Sequence, residues 1–306
     1  IYKNIILVVI EMEQNLHETN NYKDILFPVG MYQVTENDCI PKGRGYKNLH
    51  WHEELQYVLV LSGSVIFQVN GDSYLLEQGE ALFINKGTLH MSSKMSQGAK
   101  YVSFNFSEQL LCFFPDSRIK YKFVEKYINN AALSAFKITT SVCNGTEIIS
   151  YLHKLKLVYE NDSFLREYDI LLLITAIWRH LVICLEQQKY VQNKRQTAWV
   201  ERTQVMLIFI HQNYMRPISL TDIAKSAMVS NAECNRCFRN MLHTTPYDYL
   251  IQYRLKIALE LLSFSEWNIT EISQKIGFNN VTHFIQTFRK KYGVSPKQYR
   301  ITKYKE

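Results

Sequence analysis

The first third of the chain alternates between hydrophobic and polar positions in short segments, which is the pattern of half-buried β-strands. The clearest segment is "SVIFQVNGDSYLL" over 64–76, with the pair Asn70-Gly71 at its middle. An Asn-Gly pair between alternating segments is a strong signal for a β-hairpin. The segments "GEALFINKG" and "KYVSFNFS" follow, separated by turn residues. We therefore expect residues 22–108 to form a small β-barrel or sandwich.

The pattern changes to a helical period between residues 109 and 190. Its longest segment, "SFLREYDILLLITAIWRHLVICLEQ", is too long for a strand and too apolar for a solitary surface helix. We expect 109–190 to pack on the barrel and to form a homodimer contact. Residues 191–200 are polar, and we expect them to be a linker. Residues 1–21 begin with apolar positions at helical spacing, which predicts a helical extension.

The last third, 201–306, contains an internal repeat. "SLTDIAKSAMVS" from Ser219 has a counterpart in "NITEISQKIGFNN" from Asn268, at an offset of 49 residues. In each copy a Ser or Asn precedes an Asp or Glu by three positions, the arrangement that caps the N-terminus of a helix. Only a short turn separates this helix from the next. We predict two helix-turn-helix units, at about 218–243 and 268–293, with each second helix available for a DNA major groove.

Positive charge is concentrated in the same third of the chain. The 306 residues carry a formal net charge of +7. Residues 200–306 hold 15 Lys and Arg against 8 Asp and Glu, whereas the preceding residues are neutral overall. Such a basic segment indicates a polyanionic partner, although a solvated basic surface would have the same composition.

The hydropathy pattern favours neither a membrane protein nor a secreted one. The longest apolar runs, 5–10 and 170–178, are shorter than the roughly 18 residues that cross a bilayer. The N-terminal residues lack the small-residue cleavage site of a signal peptide. The six cysteines are scattered and form no regular disulfide framework. We expect a cytoplasmic protein without membrane contact.

The segment "ITEISQKIGFNNVTHFIQTFRKKYGVSPKQYR", 269–300, resembles the signature of the AraC/XylS family of transcription regulators. Gly-Phe, Phe-x-x-x-Phe-Arg-Lys, Gly-x-Ser-Pro and Tyr-Arg all stand at the spacing of that family. The upstream copy and the joining helix extend the resemblance to about 201–300. It implies an all-α domain whose two recognition helices enter successive major-groove segments of double-stranded DNA, and it implies contact with RNA polymerase.

The exposed sides of the two recognition helices supply the candidates for DNA contact. Arg236 matches the bidentate geometry of guanine and Asn235 that of adenine, whereas Glu233 is expected to assist the helix cap. Gln286 stands where many family members have a basic residue, which shifts the expected preference towards adenine. The predicted base-reading residues are Asn231, Ala232, Asn235, Arg236, Asn280, Val281, Thr282 and Gln286. The predicted phosphate contacts are Arg239, Arg289, Lys290, Lys291 and Lys297.

Two features of the first copy depart from the expected pattern. His243 stands where the second copy has Gly293, at a helix end whose left-handed conformation favours glycine. Cys234-x-x-Cys237 has the spacing of a redox or zinc pair, but no second pair accompanies it. Because Cys234 falls on the buried side of the helix, we interpret both as core residues.

The order of residues in the predicted barrel resembles the two sequence motifs of cupins, with His50, His52 and Gln56 in the first motif and His90 in the second. Metal-binding cupins place a glutamate where this chain has Gln56, and a neutral amide is a poor ligand for a divalent transition metal. We therefore expect no metal or other cofactor. These four residues are predicted to bind a small polar ligand such as a sugar, or else only to hold loops together.

These patterns predict an α+β multidomain protein. A cupin-like β-barrel with flanking helices comes first, and an all-α domain with two helix-turn-helix motifs follows. The function expected is a ligand-responsive transcription regulator, by family analogy an activator, and not an enzyme. The alternatives are a metal-dependent cupin enzyme or metal sensor fused to a DNA-binding domain, and a regulator controlled by a protein partner or by its abundance.

Overall fold

The structure is a computed structural model with two compact units, one formed by His17–Val200 and the other containing Glu201–Glu306. Residues 1–15 of the predicted N-terminal extension, and 191–193 of the predicted linker, lie outside the described residues. The described residues are 16–187, without 19, 21, 23, 25, 44 and 131, and 194–303.

The first unit is built on antiparallel strands that form two sheets. One sheet has the order β2-β1-β8-β3-β6-β9, and the other has the order β5-β4-β7. The predicted hairpin at Asn70-Gly71 joins β4 to β5. The strands are β1 Val29–Thr35, β2 Cys39–Ile40, β3 Leu55–Ser62, β4 Ser64–Val69, β5 Asp72–Glu77, β6 Ala81–Ile84, β7 His90–Met95, β8 Lys100–Phe106 and β9 Ala135–Ile138.

Strand β3 is buried on both faces, which explains its uninterrupted apolar sequence. Tyr57 and Leu59 face a core shared with the helices of this unit, whereas Val58 and Val60 face the interior between the two sheets. In β4 the burial alternates, with Phe67 inside and Gln68 partly exposed. The six-stranded sheet therefore separates two hydrophobic layers, and the polar cavity described below opens between the sheets.

Helices cover the outer face of the six-stranded sheet. A 3₁₀ turn at Glu108–Leu111 and a π-helical turn at Lys120–Glu125 lead into the single turn α1, Lys126–Ile128. Two longer helices, α2 at Gly145–Glu160 and α3 at Arg166–Gln187, pack against each other. By length and composition α3 could cross a membrane. Its Ile170, Ile174 and Trp178 lie instead in the protein core, and the Trp178 ring stands edge-on to Phe83 at 5.8 Å.

One element differs from the helical structure expected for 109–190. Ala135–Ile138 is a strand, β9, which pairs antiparallel with β6 and forms the edge of the six-stranded sheet. The Lys137 ammonium contacts the Glu80 carboxylate at 2.8 Å and donates to the Leu75 carbonyl at 2.7 Å. Four residues are too few to show a hydrophobic period in the sequence. The strand forms because its backbone pairs with β6.

The second unit is helical. The described part of the predicted linker, 194–200, lies in the first turns of α4. Lys, Arg, Gln and Ala are strong helix formers, although the polar residues among them are also common in linkers. The helices are α4 Lys194–Asn213, α5 Leu220–Ser226, α6 Asn231–Leu242, α7 Pro246–Phe264, α8 Ile269–Lys275, α9 Val281–Tyr292 and α10 Pro296–Lys303.

Helices α5 and α6 form the first helix-turn-helix, and α8 and α9 form the second. Ser219 and Asn268 each complete a capping box, as the sequence predicts. The buried rings of Phe238 and Phe288 occupy equivalent positions in α6 and α9. His243 adopts the left-handed conformation, with φ of 51° and ψ of 31°, so α6 ends there as α9 ends at a glycine.

Candidate functional site

The first recognition helix, α6, presents one polar face to solvent. Ser230 caps it, because its side chain accepts a hydrogen bond from the backbone N–H of Glu233 at 3.2 Å. Asn231, Ala232 and Arg236 are exposed, and Asn235 is half-buried. Positions four apart share a helix face, so the structure brings these four predicted base-reading residues together.

The sequence did not predict the contacts that the side chain of Glu233 makes. Its Oε2 lies 2.6 Å from Nη2 of Arg236, and its Oε1 lies 3.3 Å from Nη1 of Arg202. The backbone N–H of Glu233 donates to the cap, and its carboxylate contacts the two arginines. A partly exposed ion pair of this kind contributes only about 0–1 kcal/mol to stability, so it leaves Arg236 able to change partners.

Two asparagines of this face also make internal hydrogen bonds. Nδ2 of Asn235 donates to the carbonyl of Asn231 at 2.9 Å, and Nδ2 of Asn231 donates to Oγ1 of Thr221 at 3.2 Å. The pattern stabilises the orientation of the polar face before any partner binds.

The second recognition helix, α9, has a similar exposed face, but its N-cap is an asparagine and not a serine. Asn280 is its N-cap, and Oδ1 accepts from the backbone N–H groups of Thr282 at 2.8 Å and His283 at 3.2 Å. This oxygen is therefore occupied, although the sequence assigned Asn280 to base reading. Thr282 and Gln286 are exposed and Val281 is half-buried, with Phe284 on the opposite face.

The predicted phosphate contacts are all exposed. Four of them occupy the C-terminal halves of the recognition helices, and the fifth is the second residue of α10. Cations near the C-terminus of a helix also compensate its dipole, so the four residues on α6 and α9 serve the fold as well. The five predicted phosphate contacts are Arg239, Arg289, Lys290, Lys291 and Lys297.

Both cysteines of the Cys-x-x-Cys motif are fully buried in α6. Burial raises the pKa of the Cys234 thiol to about 12, and it also raises the pKa of Cys237. A thiol with a raised pKa is a poor source of the thiolate that metals and redox partners need. The pair belongs to the hydrophobic core of the second unit.

The second candidate site is a polar cavity inside the barrel. His50 and His52 precede β3, His90 begins β7, and the backbones of His50 and His90 pair by two hydrogen bonds of 3.1 and 2.9 Å. Gln56 follows on β3, and all four side chains are buried. The structure thus brings together the four residues that the cupin resemblance indicated. The cavity is small, because its enclosed space of about 20 Å³ has room for about one water molecule.

Each of the three imidazoles is held by one backbone carbonyl. A carbonyl only accepts, so Nδ1 carries the proton in the neutral ring and Nε2 carries the lone pair. Burial lowers the pKa of His52 to about 4 and that of His90 to about 3, so both rings are neutral near pH 7. The carbonyls are those of Asn48 for His50 at 2.7 Å, Glu54 for His52 at 3.1 Å and Thr88 for His90 at 2.8 Å.

The nitrogens that point away from these carbonyls converge. The three rings offer ligand atoms that all lie within 4.8 Å of one another. Within the described part of the chain, Nε2 of His52 and Nε2 of His90 are buried without a hydrogen-bond partner. Imidazole nitrogens that lie this close together are a donor set that fits a divalent transition-metal ion.

Gln56 is a neutral side chain that is bonded to its neighbours inside the cavity. Its Nε2 donates to Oγ of Ser103 at 2.5 Å, and Ser103 donates to Oδ1 of Asn105 at 2.9 Å. Its Oε1 is buried and has no partner among the described residues. Gln56 thus belongs to a hydrogen-bonded wall of the cavity.

Residues ahead of the first strand complete the cavity, and the sequence did not reveal them. Oε2 of Glu18 lies 3.3 Å from Nε2 of His50. Asn20 connects the segment to the wall, because it accepts from Asn105 at 3.1 Å and donates to Glu54 at 2.8 Å. These residues follow no motif spacing, so only the folded chain shows their place.

Comparisons with known proteins identify two domain families in the chain. Residues 223–301 match the helix-turn-helix domain family, and residues 38–101 match the cupin domain family. The helix-turn-helix match covers both recognition helices. The cupin match contains all three histidines.

Similar proteins of known name are transcription regulators and not enzymes. The uncharacterized HTH-type transcriptional regulator YdeC of Bacillus subtilis is 33% identical over 290 residues, which cover 94% of this chain and 97% of that protein. The HTH-type transcriptional regulator AlkR of Acinetobacter baylyi is 35% identical over 94 residues, 31% of each chain. The melibiose operon regulatory protein of Escherichia coli is 22% identical over 256 residues, 82% of each chain. The chain therefore belongs to the AraC/XylS family of DNA-binding transcription regulators, with a cupin domain ahead of its helix-turn-helix domain.

Proposed function

We propose that this regulator reads double-stranded DNA through the exposed faces of α6 and α9. The observation that carries the proposal is the presence of two capped recognition helices, each with a polar face beside exposed basic residues. Asn231, Asn235 and Arg236 would contact bases from α6, and Thr282 and Gln286 from α9. The basic residues at the ends of these helices would contact phosphates and set the register.

The barrel cavity would couple this activity to a small polar ligand. Its wall of histidine, glutamine, serine and asparagine side chains offers both donors and acceptors. The similarity to a regulator of a melibiose operon supports a sugar as one candidate. We infer that the protein acts in the cytoplasm as a homodimer, without membrane contact, and that it activates transcription through RNA polymerase, as the family resemblance implies.

Selection of bound duplexes from a random pool by the full chain tests the DNA-reading role. The Arg236→Ala variant is expected to lose roughly 10- to 100-fold in affinity for the selected site, and to relax the preference at one base pair. The Lys290→Ala variant should lower the affinity for all DNA sequences alike, because a phosphate contact does not distinguish between bases.

If the full chain bound selected and random duplexes equally at physiological salt, the proposed base-reading faces would be wrong. Equal effects of Arg236→Ala and Lys290→Ala on selectivity would contradict the assignment of the two residues. Circular dichroism of both variants checks that the helices are retained.

A further inference from the structure

The acid in the first turn of the first recognition helix contacts two arginines. At the starts of α5 and α8, the acid three residues after the N-cap accepts a hydrogen bond from the N-cap backbone and completes a capping box. In α6 the acid at the same place is Glu233, whose two carboxylate oxygens contact Arg236 of the same helix and Arg202 of α4. The carboxylate therefore joins a candidate base-reading residue to a neighbouring helix.

The three side chains of this cluster differ in exposure. Arg236 is 55% exposed and Arg202 is 42% exposed, whereas Glu233 is only 18% exposed. The guanidinium groups therefore lie nearer to solvent than the carboxylate that they share. A DNA duplex that approaches α6 meets the arginines first, so Glu233 acts on DNA mainly through these two residues.

The second recognition helix provides an internal comparison. At the offset of 50 residues between the two helices, His283 stands at the position of Glu233. At the same offset Gln286 stands at the position of Arg236. Every residue of α9 is described, and its first turn contains no acid. In the recognition helices the acid therefore occurs together with the arginine, and the helix that lacks one lacks both.

A carboxylate affects the two kinds of DNA contact differently. A guanidinium has five N–H donors, so one contact with Glu233 leaves Arg236 enough donors for the two acceptors of guanine. Attraction to a phosphate depends instead on charge. The two positive charges and the one negative charge of the cluster leave a net charge of +1, which is half that of the two arginines alone. The acid thus weakens phosphate contacts more than guanine contacts.

We propose that Glu233 is a specificity-determining residue of α6, because its carboxylate weakens phosphate contacts by Arg202 and Arg236 and preserves guanine reading by Arg236. Binding to random duplexes depends on phosphate contacts, so it is disfavoured more strongly than binding to the selected site. Glu233 acts through the two arginines and is a positioning residue. This inference rests on the proposed reading of a base by Arg236.

The Glu233→Gln variant of the full chain tests the inference, because it removes the charge and keeps a side chain that suits this position of a helix. We expect its affinity for random duplexes to rise about 2- to 5-fold, the effect of one partly exposed ion pair. The slope of log affinity against log salt should steepen by about 1, because an arginine becomes free to contact a phosphate. The affinity for the selected site should change less, so the selectivity falls. Fluorescence anisotropy with selected and random duplexes measures all three.

Two further variants separate the charge of Glu233 from its place in the helix. Glu233→Asp keeps the charge and should keep the salt slope of the unchanged protein. Glu233→Ala removes the charge, should act in the same direction as Glu233→Gln, and serves if that variant does not fold. The matched control is Glu201→Gln, which removes an exposed carboxylate next to Arg202 in α4 and should leave the selectivity unchanged.

A role of Glu233 in the fold alone would lower the affinities for selected and random duplexes alike, and this outcome would overturn the inference. Equal losses of selectivity in Glu233→Gln and Glu201→Gln would overturn it too. If Arg236→Ala left every base preference unchanged, the proposed base reading by Arg236 would fail and the inference with it. If Arg236→Ala relaxed one preference but Glu233→Gln left the selectivity unchanged, only the inference would fail.

Discussion

Single residues at equivalent places in the two helix-turn-helix units face different surroundings. Met228 and Gly277 both have positive φ, 52° and 84°, in the two turns. Met228 is 94% exposed, so its side chain meets no neighbour and the left-handed backbone costs about 1–2 kcal/mol at most. A Cβ on Gly277 would lie 2.3 Å from the carbonyl oxygen of Tyr214 and 2.8 Å from Arg254. The second turn therefore needs glycine for space as well as for φ.

The Gly277→Ala change is expected to lower the free energy of unfolding of the second unit by about 3 kcal/mol or more, because the clash adds to the strain. Gly293→Ala, at a φ of 80° with nothing near its Cβ, should cost only about 1–2 kcal/mol. Urea unfolding followed by helical circular dichroism measures both. Equal losses would contradict the close approach of the Tyr214 backbone to the turn.

At the scale of the element, the first helix of each unit is short and depends on its cap. Helices α5 and α8 have seven residues each, too few to be stable alone. In α5 the Ser219 hydroxyl accepts from the Asp222 N–H at 3.2 Å, and the Asp222 carboxylate accepts from the Ser219 N–H at 2.9 Å. The capping box supplies partners to N–H groups that the helix itself leaves unsatisfied.

The Ser219→Ala change is expected to cost about 1 kcal/mol of stability. Ser226→Ala at the end of the same helix should cost less than about 0.5 kcal/mol. The hydrogen bonds from Ser219 lower the pKa of Asp222, so the cap stabilises the helix above the usual carboxyl range and this contribution is lost as the pH falls. Urea unfolding at neutral and acidic pH should show the Ser219→Ala difference shrinking in acid. A constant difference would contradict the role of the carboxylate.

At the scale of the whole molecule, the proposed DNA-reading faces and the barrel cavity belong to separate parts of the chain. The excess of positive charge lies in 200–306, whereas the residues that form the barrel cavity belong to the neutral part. DNA affinity should therefore depend on salt through the second unit alone. The number of phosphates contacted determines the steepness of that dependence.

The Lys291→Ala and Lys297→Ala changes should each reduce the slope of log affinity against log salt by about 1. Lys154→Ala, an exposed lysine of α2 in the neutral part, should leave the slope unchanged. Fluorescence anisotropy with a labelled duplex at several salt concentrations measures these slopes. A slope that falls equally for Lys154→Ala would mean that the barrel unit also contacts DNA.

The sequence by itself determined the features that depend on neighbours along the chain. Caps, the repeat and the alternation of β4 are local patterns, because a capping side chain and its N–H lie three residues apart. They were sufficient to predict the two helix-turn-helix units and the β-rich region, whereas the resemblance to the cupin motifs predicted the grouping of His50, His52, Gln56 and His90. The helical start of α4 was missed because polar helix formers also suit a linker.

Only the tertiary structure decided what depends on partners far along the chain. Strand β9 exists because the edge of β6 is open to it, and Arg236 is held by an acid whose second partner is Arg202. Glu18 reaches His50 by pairing its backbone with Trp51, which no spacing rule predicts. Long-range hydrogen bonds and ion pairs form only after folding brings their groups together, so the carboxylate at the histidine cluster is a product of the fold.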